Sequence, residues 1–550
     1  MSALLKGGIF QNRYVFKAKL TAKSPLHIGS GEMIERPGLV DDKGKPLQIS
    51  AVIVDAENKP YIPGSCIKGA IRDWLRLVKN MNDREDNVLK IKLTPDEIKS
   101  NAESLESLER LFGTIYSEGK LEIWDAPCLS QVNTPTDPNL SGWDKDRLTY
   151  VAKSVAINPE TGTAEEHKLY NFELVPEGAK FQLALSGQNL SDDEVALILD
   201  VLDGFNHSVF PLTLGSMTKR GFGRFSISEV TVYKMEKNNI SFWKELCEND
   251  NKAGYDSICR EEFKMNDEKI AELKNKINYH AIIPNTLQIE WNLTLKTPLV
   301  IRSGSSFAWE NAAKKKTRNY NMKYLWGHEA SKKPDEHDIS DLYFSLKING
   351  NEVEPYYHIP SSSIRGSLRE WTIKHLLPED WWDIEGKLKE YAKQNPRPVL
   401  PKYLEEITSL FGFALETSDK SLNEKFNRAG RLTIEVEPFS GTQPQPDVHG
   451  TWSSSNNNYG PSNAKRHIKT RNPLDRITNA AKKGGLHSGL EFSREQNFKA
   501  KLIIKEPNDF DRNLIRCWLR EINYGFIRFG ALSSVGRGRV SAEEVQNAAI

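Results

Sequence analysis

The 550-residue sequence is poor in cysteine: Cys66, Cys128, Cys247, Cys259 and Cys517 are all it has, and no two form a CxxC pair. A disulfide framework and a thiolate zinc site both fit badly, and a reducing, prokaryotic-type cytoplasm is the expected setting. It lacks an excess of charge of either sign, since 75 Lys and Arg face 74 Asp and Glu. Any basic surface must therefore be local. No apolar run approaches the roughly 20 residues that cross a bilayer, so no membrane partner is expected. The opening MSALLKGGIF has no signal-peptide core. HExxH, HxxxH, GxSxG and P-loop patterns are missing, which removes common signatures of zinc peptidases, serine hydrolases and nucleotide hydrolases.

What the sequence does have is a repeat. PYIPGSCIKGAIRDWLRL (60–77) matches YHIPSSSIRGSLREWTIK (357–374), and KSPLHIGSG (23–31) matches KTPLVIRSG (296–304). LFG recurs at 111–113 and 410–412, EGKLEI (118–123) matches AGRLTI (429–434), and GFGRFSI (221–227) matches GRGRVSA (536–542). Five blocks in one order mark a duplicated unit. Two domains are expected, 1–230 and 287–550, joined by a polar, helix-like connector over 231–286. Each copy opens on a period-two strand, YVFKAKLTAKSPLHI or LQIEWNLTLKTPLVI. Gly64-Ser65 and Ser361-Ser362 fit helix N-caps before KGAIRDWLRLV and RGSLREWTIKHL. Strands interleaved with helices at this length predict an α+β fold, two tandem ferredoxin-like (RRM-like) domains with long insertions.

The candidate chemistry is anion binding. The loops GSMTKRGFGRF (215–225) and GALSSVGRGRV (530–540) combine glycines, which let backbone N–H groups approach a ligand, with Lys219, Arg220, Gly221, Arg224, Arg537 and Arg539. An ordinary turn before an edge strand would also explain either loop alone. The IPGS and IPSS blocks place Ser65 and Ser362 at helix starts, where N–H groups and the helix dipole favour phosphate. Lys68 and Arg72, like Arg365 and Arg369, then lie four apart on one helix face. Trp74 and Trp371 read as core. Residues 311–333 hold seven Lys and Arg against one Glu, and 451–500 hold nine against three acids, with aromatics interleaved. That mixture suits single-stranded nucleic acid, or a solvated loop. Among the acids, Asp41 and Asp42 in the first copy and Asp338 and Asp341 in the second sit in the early insertions.

Together PLHIGSG, IPGSxxKGxxR, LFG and the terminal GxxxxxGxGR loop resemble the RAMP superfamily of CRISPR-associated proteins, twice over nearly the whole chain. The likeness is nearest to backbone subunits of type III effector complexes, and the tandem resembles the fused subunits of the III-D type. RNPLDRIT (471–478), with Arg471 and Arg476, is similar to a segment of the family's β-hairpin thumb. The resemblance implies ferredoxin-like cores with palm and thumb insertions, spanning Tyr150–Tyr170 and His467–Phe492 for the thumbs. It implies a guide RNA, a target RNA, neighbouring RAMP backbone subunits and a large polymerase-like subunit as partners. It also implies target-RNA cleavage by an insertion aspartate with a divalent metal ion, Mg or Mn. DLYFSLKING (341–350) makes Asp341 the best match and the candidate metal ligand, with Asp338 next. In the first copy Ile49 stands where the acid is expected, leaving Asp41 or Asp42 as substitutes. A non-catalytic scaffold is the first alternative. The second is a guide-precursor-processing endoribonuclease using His27 or His167.

Overall fold

The computed structural model describes residues 9–36, 39, 45–78, 107–114, 117–137, 140–158, 164–208, 210–238, 258–275, 285–308, 338–394, 397–439, 466–471 and 487–545, some strands by backbone alone. In the first half, β1 (Asn12–Ala22) leads to β2 (Gly29–Ile34), β3 (Ile49–Val52), α1 (Gly64–Val78), α2 (Ser107–Phe112) and β4 (Leu121–Ile123). Then come β5 (Tyr150–Ile157), β6 (Ala164–Leu174), β7 (Lys180–Gln188), α3 (Asp192–Asp203) and β8 (Phe225–Glu236). The main antiparallel sheet runs β8-β1-β7-β4. That is the last, first, third and second strand of a β-α-β-β-α-β unit, the ferredoxin-like order. β1 holds its place by alternation, with Phe16, Ala18, Leu20 and Ala22 all in the core. Ser191 and Glu194 form a capping box that starts α3.

After α4 (Asp267–Asn275) the second half repeats the plan. It contains β9 (Thr286–Leu295), β10 (Arg302–Ala308), β11 (Asp338–Leu342), β12 (Phe344–Asn349), β13 (Glu352–Tyr357) and α5 (Ser361–Leu376). Helices α6 (Ile384–Lys393), α7 (Leu404–Phe411) and α8 (Lys420–Phe426) follow, then β14 (Leu432–Val436), β15 (Arg466–Arg471), β16 (His487–Phe492) and β17 (Asn497–Lys505). Helix α9 (Asp509–Tyr524) and β18 (Val540–Val545) close it. Its main sheet is β14-β17-β9-β18, the same order. The insertions of each half build a second sheet, β2-β3-β6-β5 and β10-β11-β16-β15. The central pair of each is parallel. The expected thumbs are thus the hairpins β5–β6 and β15–β16.

The connector associates with the first half: the Met265 N–H bonds Val232 O at 2.8 Å, and Leu273 of α4 enters that half's core. β8 runs on to Glu236, so the first domain's last strand passes residue 230. The halves share a core as well. Trp143, Tyr150, Phe172 and Leu174 belong to one cluster with Trp291, Leu346, Val353 and Tyr357. The β12–β13 hairpin is stitched across by the Ile348 N–H to Glu177 O (2.7 Å) and Asn133 N–H to Asn351 O (2.7 Å).

The helix starts differ from the expected serine caps. Proline precedes each, and α5 begins at Ser361 with Pro360 as its N-cap and no side-chain cap. In α1 the Gly64 N–H is taken by Asp125 Oδ1 at 2.7 Å. The serines lie inside the first turn instead. Trp74 is core, its Nε1 donating to Phe210 O at 2.8 Å. Trp371 is only half-buried and stacks on His375. Among the described residues, Cys66, Cys128, Cys259 and Cys517 are free thiols. No described helix is long and apolar enough to cross a membrane.

Candidate nucleic-acid interface

The glycine-rich loop of the first half is a single 3-10 turn, Thr218–Arg220, held between left-handed residues: Gly215, Met217, Gly221 and Gly223 all have positive φ. Only glycine suits Gly221. A Cβ there would adopt φ +85° and meet Ser361 Oγ at 3.0 Å. The loop therefore lies directly on the start of α5, in the other half. Lys219 Nζ donates to Thr433 Oγ1 at 3.3 Å and Arg224 Nη1 to Glu435 Oε2 at 2.6 Å, both on β14. Behind them, Lys501 Nζ donates to Ser208 O at 3.1 Å, and Lys505 Nζ sits 5.5 Å from the Phe210 ring centroid.

This docking collects cations. Burial pushes the Lys219 ammonium down to about 8, with Lys505 and Arg365 adding repulsion. Burial also lowers Arg365, and Arg369 and Arg220 reinforce it. Arg369 and Lys505 are lowered by burial too. Arg365 donates to Phe411 O, at the end of α7, while its Nε has no partner. Of the nearby acids, Glu435 is engaged by Arg224, while Glu506 and Asp73 act on Lys505. Crowded, partly desolvated cations repel one another, and a polyanion relieves that repulsion. The exposed Ser362 and the uncapped first turn of α5 supply N–H groups beside them.

Of the residues expected to bind anions, the structure thus brings Lys219, Arg220, Gly221, Ser362, Arg365 and Arg369 to one junction. Arg224 is there but is spent on Glu435. Ser65, Lys68 and Arg72 stand on α1, the counterpart of α5. Arg537 and Arg539 stand on the counterpart loop, where Arg537 Nε is paired with Glu491 Oε2 at 2.9 Å and Arg539 is exposed. Arg471 ends strand β15, described by backbone only, and Arg476 lies outside the described residues. So do most of the two basic stretches. Sequence reasoning missed Lys505. The alternation Lys499, Lys501, Lys505 along β17 was the available signal.

The acids divide the halves. Asp41 and Asp42 lie outside the described residues. Asp338 and Asp341 are in β11, described by backbone. The register fixes their counterparts. β10 sets Arg302 opposite Leu342 and Phe307 opposite Ile339, while β2 sets Gly29 opposite Val52 and Ile34 opposite Ile49. Gln48 therefore matches Asp338, and buried Ala51 matches Asp341. Ile49, the position expected for the missing acid, instead matches Ile339. The strands align by pairing, which a motif comparison cannot see. Among the described residues, no group of three or more His, Cys, Asp or Glu could hold a metal ion. His27 is buried, with Nδ1 2.7 Å from Glu173 O and its ring edge-on to Phe172, which is a structural place. His167 is described by backbone alone.

The family model described as the RAMP superfamily matches residues 19–226 and again 292–541, most of the chain. No curated protein matches it.

Proposed function

The chain belongs to the RAMP superfamily of CRISPR-associated RNA-binding proteins, and from that premise we propose that it is the guide-RNA-binding backbone subunit of a type III ribonucleoprotein. The observation that supports this is the junction. One half delivers Lys219 and Arg220, the other Arg365, Arg369 and Lys505, and their mutual repulsion calls for phosphates. Neighbouring RAMP subunits and a large polymerase-like subunit are its proposed partners. Cleavage of complementary target RNA is assigned to the second half. RNA carries its own nucleophile, the 2′-hydroxyl, so the protein need only align it and offset charge on the phosphate. The second half has acids at the two matched positions, Asp341 and Asp338, and the first half has Ala51 and Gln48. Asp341 is the proposed cleavage residue.

RNA binding is tested by titrating the full chain with single-stranded guide RNA at several salt concentrations. The Lys219→Ala, Arg365→Ala double variant should flatten the log–log salt slope by about 0.7 for each phosphate the protein no longer neutralises. Binding should weaken about equally for unrelated sequences, because phosphate contacts position without specifying. An unchanged slope would reject the junction as the RNA site.

A further inference from the structure

The junction cations account for phosphates and leave the ring beside them unexplained. Tyr170 of β6 is 41% exposed. One face stacks on Phe172, two residues along, with centroids 5.1 Å apart and planes 25° apart. Phe172 is itself wedged by Phe222 of the glycine-rich loop (6.4 Å) and by His27 (5.9 Å). The Tyr170 hydroxyl accepts from Arg220 Nη1 at 3.3 Å and donates to Met217 Sδ at 3.4 Å. The ring is thus clamped by one face and by its tip, next to a cation of the junction.

The fold does not demand this arrangement. The pairing that matches β3 with β11 also matches β6 with β16, so Phe172 corresponds to Gly489, and the positive-φ glycines on either side match Phe222 of the first loop to Arg537 of the second. There the space of the ring is held by a guanidinium: a Cβ on Gly489 would lie 2.5 Å from Arg302 Nη1. The second half builds the same sheet and the same loop with Gly489 and Arg537 in place of the two phenylalanines, and His487, the counterpart of Tyr170, is described by backbone alone. An exposed, pre-oriented aromatic beside a phosphate-binding guanidinium is what a nucleobase stacks on.

We infer that Tyr170 is a stacking platform for one unpaired nucleobase of the bound RNA, whose neighbouring phosphate Arg220 holds. The inference rests on the RNA-binding reading of the junction. It is tested on the full chain with two single-stranded oligoribonucleotides, one with bases throughout and one carrying a run of abasic riboses. Tyr170→Ala should weaken binding of the first by about tenfold and leave the second unchanged, while Tyr170→Trp should restore the first. Equal loss on both oligonucleotides, or no loss on either, would overturn the stacking role. The Lys219→Ala, Arg365→Ala protein separates the two ideas. If it binds both oligonucleotides as wild type does, the phosphate reading fails, whatever Tyr170 does.

Discussion

Two loops with one backbone face different surroundings. Gly215, Met217, Gly221 and Gly223 are matched in sign of φ by Gly530, Leu532, Gly536 and Gly538, and each loop encloses a single 3-10 turn. Each ends in an arginine, Arg224 or Arg539. The first loop is pressed onto β14 and α5 of the other half, whereas Ser533, Ser534, Val535 and Gly536 of the second are exposed. Conformation here is written in glycines, while binding depends on what the loop is laid against. The same contrast runs through the halves: Asp341 against Ala51, His358 against Tyr61, stacked rings against guanidinium.

The sharpest break of that comparison is chemical. In the complex assembled with guide RNA, Asp341→Ala should slow one target cut by two orders of magnitude or more, with guide binding intact. Product gels under single-turnover conditions decide it. If every product forms at the wild-type rate, Asp338→Ala is the next variant, and silence there too makes the second half a scaffold.

A smaller effect separates the halves by acid. His358 is half-buried, its Nε2 2.8 Å from Ser345 Oγ and its ring against Tyr356 and Tyr343. Burial pushes its pKa from 6.5 down to about 4. The unfolded chain therefore takes up a proton below pH 6.5 that the folded chain refuses until about pH 4. Stability is full above 6.5 and declines as pH falls through that window, by on the order of 3 kcal/mol. Thermal melts from pH 7 to 4 should show this loss, and His358→Gln should flatten it. The counterpart position holds Tyr61, with no imidazole, so a pH response unchanged by His358→Gln would erase the contrast.

The smallest effect compares the loops directly. Gly536→Ala meets nothing within 4 Å and should cost only the left-handed backbone penalty, about 1 kcal/mol in a melt. Gly221→Ala carries the same penalty and also strikes Ser361, so it alone should lower RNA affinity severalfold. Equal binding by the two variants would mean that the docked loop contributes no more than the exposed one.

The fold class was legible in the sequence because its signals are local: alternation in YVFKAKL and strands interleaved with helices in each copy. The junction was half legible. Lys219, Arg220, Arg365 and Arg369 stood out as basic residues in repeated blocks, but nothing local says that a loop of one copy lies on a helix of the other. Ile49 was mismatched for a related reason. Strand register is set by hydrogen bonds to β2 and to the sequence-distant β6, and not by the residues of β3 itself. The serine caps misled because a proline ahead of each helix moves the boundary by a residue.

The shared core has a cost during synthesis. Trp143, Tyr150 and Phe172 reach their native neighbours Trp291, Leu346 and Val353 only when the second half exists. At ribosomal rates of roughly 5–20 residues per second, the first half waits on the order of tens of seconds with that apolar surface uncovered. A nascent chain stalled between the halves is then the species most exposed to aggregation and chaperone capture, and completion of the second half is what ends that exposure.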